Sequence, residues 1–103
     1  MDFYEGTEIK ININIEAIGS VTMNQFQFVV DAYCVPSRVL TVTKEEATEV
    51  DANNYFIKVD TAKTGPGRLK LRVKAEIPDP DFDDVLRTEV QIVDPDVNVL
   101  KAQ

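Results

Sequence analysis

Histidine is absent from the 103 residues and cysteine occurs once, at Cys34. The commonest general base and metal ligand is therefore missing, and most hydrolase mechanisms go with it. The chemistry left to the chain is that of its carboxylates and its cations. The densest acids are Asp79, Asp81, Asp83 and Asp84. Acids at alternate positions suit calcium, but the calcium loop also needs glycine at its sixth position and a bidentate Glu at its twelfth. Counted from Asp79 those places hold Asp84 and Val90, and Pro80 stiffens the second. A solvated turn is the expected role. A carboxylate pair could still serve as acid and base, yet these acids fall in a turn and not in an apolar pocket that would separate their pKa values. No nucleophile-and-base constellation accompanies them, and the expectation is a protein without catalytic residues, cofactor, metal or small-molecule substrate.

The cations gather in one place. Arg68, Lys70, Arg72 and Lys74 alternate with Leu69, Leu71, Val73 and Ala75, which puts four positive charges on one face of a strand. That stripe is the candidate docking surface. Cross-strand pairing with acids such as Glu89 is its simplest use, each pair contributing a fraction of a kcal/mol. No aromatic residues interleave with these bases, as they would on a single-strand nucleic-acid platform. The net charge of −7 and pI near 4.4 also oppose nucleic acid and anionic membranes as partners. Carbohydrate recognition would call for exposed flat rings. Tryptophan is absent, Tyr55 is placed in the core by alternation, and Phe82 is expected to tuck under its own loop. Tyr33 remains a candidate. Cys34 lies on an apolar strand face and reads as a small core residue.

The elements that carry these residues follow from period-2 alternation. Ile9, Ile11, Ile13 and Ile15 share one face of Glu8 to Glu16, and Phe26, Phe28, Val30, Ala32 and Cys34 share one face of Gln25 to Cys34. Pro36 and Ser37 turn the chain into Val39 to Thr43. Tyr55 to Asp60 and Arg68 to Ile77 alternate in the same way. Leu86 to Val93 has Leu86, Val90 and Ile92 as its apolar set; β-branched content favours a strand there over a helix. Val97 and Val99 mark a last short strand. Thr43-Lys44-Glu45-Glu46 has capping-box spacing and predicts one helical turn. Asp51-Ala52-Asn53-Asn54, Gly65-Pro66-Gly67 and the tract from Pro78 to Asp84 are turns. About seven strands without crossover helices predict a single all-β domain spanning 1–103, an antiparallel sandwich with its apolar rows facing inward. Glu8 to Glu16 and Val97 to Leu100 are the expected edges.

One ordering of residues points to a family. Leu40-Thr41-Val42-Thr43-Lys44 is followed by Asp51-Ala52-Asn53-Asn54-Tyr55, Val59-Asp60-Thr61 and Thr64-Gly65-Pro66-Gly67. Then come Leu69-Lys70-Leu71-Arg72-Val73, Ile77-Pro78-Asp79 and Arg87-Thr88-Glu89-Val90. This resembles the immunoglobulin-like N-terminal domains of phage baseplate upper proteins, and especially fibre and tail proteins of prophages in gut anaerobes. The resemblance implies an immunoglobulin-like sandwich that anchors a tail, baseplate or fibre to other virion proteins, with self-association among its contacts. Chains of that kind continue into a coiled coil or receptor-binding region, whereas this one stops at Gln103. The alternative is an adhesin-like surface module binding glycans or calcium. The acidic start, Met1 to Gly6, and a longest apolar run of four residues, Ala32 to Val35, predict neither export signal nor transmembrane segment. Cytoplasmic synthesis followed by incorporation into the virion is the expectation.

Overall fold

The computed structural model describes residues 1–15, 21–34, 39–83 and 85–101. The described residues form nine strands: β1 Asp2–Tyr4, β2 Glu8–Ile13, β3 Gln27–Cys34, β4 Val39–Thr43, β5 Thr48–Asp51, β6 Asn54–Asp60, β7 Gly67–Pro78, β8 Leu86–Val93 and β9 Asn98–Leu100. The larger sheet runs β1-β9-β7-β3-β4, with β8 also paired to β7, and the smaller runs β2-β6-β5. Antiparallel ladders join most neighbours, as the alternating pattern predicts. The exception is β1, which lies parallel to β9 with Phe3 across from Val99.

The apolar rows meet between the two sheets. Ile9, Ile11 and Ile13 of β2, Tyr55, Ile57 and Val59 of β6, Phe28, Val30, Ala32 and Cys34 of β3, and Leu69, Leu71, Val73, Ala75 and Ile77 of β7 form one buried core. The rings of Phe28 and Tyr55 pack edge to face at 5.3 Å and tie the sheets directly; such pairs add about 0.5–1.5 kcal/mol beyond burial. The Tyr55 hydroxyl donates to Glu49 Oε1 at 3.3 Å, which satisfies the polar tip of a buried ring. An all-β sandwich is therefore the architecture.

Two strands exceed the seven expected. β1 is too short to show alternation, and every residue of β5 is exposed, so neither leaves an apolar row in the sequence. Helical turns are also more numerous among the described residues than the single one expected. Lys44–Glu46 is a 3-10 turn in which Glu46 Oε1 accepts from the Thr43 N–H at 3.2 Å, as the capping spacing predicts. The same device recurs at Met23–Gln25, where Gln25 Oε1 accepts from Thr22 N at 3.0 Å. A one-turn helix, α1 Thr61–Thr64, follows Asp60, whose carboxylate accepts from Ala62 N. The expected strand end at Glu16, the corner at Pro36 and Ser37, and Asp84 lie outside the described residues.

Edges are where the structure departs most from expectation. β2 is an edge of its sheet as predicted, but β9 is enclosed between β7 and β1. A free edge lies instead at β8. Its ladder with β7 runs from Leu71 across Val93 to Pro78 across Leu86. Among the described residues no strand pairs with its other side.

Candidate docking surface

Each cation of the stripe stands on the outward face of β7, because its alternating neighbours Leu69, Leu71, Val73 and Ala75 are buried. Most are already engaged. Arg68 Nη2 lies 2.9 Å from Asp94 Oδ1 and Arg68 Nη1 lies 3.2 Å from Asp96 Oδ1. Lys70 Nζ reaches Asp94 Oδ2 at 3.2 Å. Arg72 Nη1 stands 3.9 Å from Asp31 Oδ2, and Asp31 also accepts from the Thr41 hydroxyl at 2.8 Å. Lys74 has no ion pair among the described residues. Asp94 holds the cluster together. The backbone N–H of Asp96, the Arg68 guanidinium and the Lys70 ammonium all favour its charged form and pull its pKa from the usual 3.8 to about 2.

Glu89, the expected partner of the stripe, faces the other way. It lies across from Ala75 and pairs with Arg87 at 3.3 Å. The reason is register. The loop 79–85 joins β7 to β8 so that Pro78 opposes Leu86, which puts even-numbered residues across from even-numbered ones. Ile92 therefore opposes Arg72, Val90 opposes Lys74 and Thr88 opposes Glu76 on the outward face. Arg87, Glu89 and Gln91 take the inward side, across from Ile77, Ala75 and Val73. There Arg87 bridges Asp79, at 3.2 Å, and Glu89.

The polarity of β8 is thus inverted relative to the rest of the sheet. Leu86, Val90 and Ile92, expected in the core, are 44%, 46% and 57% exposed. With Val29 of β3, across Lys74 from Val90, they make an apolar row that runs beside the cations. Sequence reasoning missed the exposure of these three. The only signal for them was the parity of the loop that fixes the hairpin register.

The other candidates scatter. Phe82 stands at the tip of the β7–β8 hairpin, 47% exposed and not tucked under its loop. Asp79 accepts from Asp81 N at 3.0 Å in a local turn, and among the described residues no three acidic or sulfur side chains gather as metal ligands. Cys34 is buried as expected, and burial raises its pKa. Asp51 is lowered by the backbone N–H of Asn53 and the Asn54 side chain; Tyr55 is raised by burial beside Glu49. Perturbed groups mark reactive sites when they converge in a pocket. None of Cys34, Asp51, Tyr55, Arg68 or Asp94 lines the larger surface depressions, of about 340, 280 and 240 Å³.

Fold and surface together define an all-β sandwich with an amphipathic outer face on an edge that is unpaired among the described residues. Among the described residues no helix is long and apolar enough to cross a membrane. Comparison with known proteins returned no match to any family model, curated protein or solved structure.

Proposed function

We propose that the protein is a non-enzymatic assembly module of a phage tail, baseplate or fibre, docking to other virion proteins through the outward face of β7 and β8. The observation that carries the assembly reading is the row Leu86, Val90 and Ile92, exposed on a strand whose outer edge is unpaired among the described residues. Soluble sheets blunt such edges with charges or bulges, and an apolar one is a template for another chain. The phage setting comes from the sequence ordering between Leu40 and Val90, whose turns, basic strand and hairpin resemble those of baseplate and tail domains. Arg72 and Lys74 beside the apolar row would give a docking partner orientation as well as contact area.

The reading is tested on particles. Antibodies raised against the domain should decorate tails or baseplates released from the source cells after prophage induction; particles left unlabelled would overturn it. The surface-binding alternative is favoured by one observation, the exposed ring of Phe82 at the hairpin tip. A glycan array separates the two. An assembly part leaves the array blank, whereas a signal abolished by Phe82→Ala would favour the adhesin.

A further inference from the structure

We infer, on the assembly reading above, that β8 pairs edge to edge with β8 of a second copy of this chain, antiparallel, about a two-fold axis through Thr88. A two-fold perpendicular to the sheet sets residues of equal parity opposite one another and continues each face of one copy into the same face of the other. Only a few registers then remain, and their charges differ.

The strand itself is self-complementary. Read from either end about Thr88, Leu86-Arg87-Thr88-Glu89-Val90 runs apolar, charged, Thr, oppositely charged, apolar. Centred on Thr88, Arg87 of each copy opposes Glu89 of the other, so the inward face gains two ion pairs. On the outward face Leu86 of each copy opposes Val90 of the other. Centred on Glu89, two carboxylates would meet on the axis. Centred on Val90, Arg87 would oppose Val93 and no opposite charges would meet. The Thr88 register also keeps the hairpin tip of one copy farther from β1 of the other than the Glu89 or Val90 register does, since β1 flanks β9 just beyond the end of β8.

The consequence is a single sheet continuous through β4-β3-β7-β8 and the same strands of the second copy in reverse order. It pairs the free backbone groups of both edges and places the two apolar rows side by side. Arg87 and Glu89 are only 17% and 23% exposed at their side chains, so their charges meet in a partly desolvated setting, where complementarity decides the partner.

The test uses the full chain. Sedimentation velocity should show a dimer whose fraction rises with concentration. Glu89→Lys and Arg87→Glu should each weaken self-association at least about tenfold, because each sets two like charges opposite one another. Mixing the two variants should restore the dimer, since Arg87 of one copy then opposes Glu89 of the other and the introduced lysine opposes the introduced glutamate. A folding defect would not be rescued in this way. Under mild oxidation Thr88→Cys should crosslink across the axis, where opposed Cα atoms sit about 4.5–5.5 Å apart, while Val90→Cys should not. A monomer at every concentration would overturn the inference, as would a dimer indifferent to the charge reversals or one crosslinking faster through Val90→Cys. Decoration of tails by antibody is independent of all three results and would leave the assembly reading standing.

Discussion

Ile92 stands directly across from Arg72 on the outward face of the larger sheet, so two strands with the same alternating pattern present opposite faces to the core. In β7 the alternating apolar set faces the smaller sheet; in β8 it faces away. Truncation should separate them. Leu71→Ala, at a fully buried site, should cost about 2–5 kcal/mol, whereas Ile92→Ala should cost under about 1 kcal/mol. Urea unfolding of the two variants checks this. Comparable losses would mean that Ile92 is covered within its own chain.

That inversion also marks what the sequence could tell. Period-2 alternation located the isoleucines of β2, the Phe28 to Cys34 row of β3 and the leucines of β7 correctly, because each strand has one strongly apolar face that only the core can accept. In β8 the two faces differ less: Leu86, Val90 and Ile92 alternate with Arg87, Glu89 and Gln91, and alternation alone does not say which set is inside. Pairing with β7 decides it, and pairing depends on a loop geometry that residue types leave open. The candidate stripe was legible as a row of cations for the same reason that β7 was legible. Its partners were not, since Asp94 and Asp31 reach it from elements whose adjacency follows from strand order.

The carboxylate of Asp94 ties Arg68 and Lys70 together, and its pKa falls from 3.8 to about 2 on folding. In acid the unfolded chain therefore takes up this proton before the folded one does. Stability from Asp94 is complete above its unfolded value and is lost as pH falls from about 4 towards 2. Asp94→Asn should flatten the stability profile in that window by lowering stability at neutral pH, modestly as for an exposed pair, while the two proteins converge in acid. Chemical denaturation at stepped pH reads the difference. An unchanged acid limb would show that the cluster does not hold its geometry in solution.

Val85 enters β8 with φ of 59°, a left-handed conformation in a β-branched residue, and its side chain is 57% exposed. Left-handed backbone costs an ordinary L-residue about 1–2 kcal/mol, and little burial offsets it here. Val85→Gly should raise stability by about 1 kcal/mol after the entropy that glycine adds to the unfolded chain. The urea midpoint should move up without a change in slope. A lower midpoint would mean that the valine side chain makes contacts worth more than the backbone penalty.

Thr61, just past the end of β6, ties that end to the turn leading into β2 through its hydroxyl. Fully buried, that hydroxyl donates to the Thr7 carbonyl at 2.7 Å and accepts from the Gly6 N–H at 3.0 Å. Gly6 holds φ of 101°, a conformation that suits glycine and aims its N–H at the threonine. Thr61→Val keeps the volume and removes both bonds, leaving the Gly6 donor without its protein partner. The expected loss is about 1–3 kcal/mol, with Thr61→Ser recovering most of it, because serine restores the hydroxyl and gives up only a methyl group. Amide exchange at Gly6 supplies the specific readout. It should accelerate in Thr61→Val and return towards the parent rate in Thr61→Ser; equal exchange in all three proteins would show that the bond does not restrain this turn.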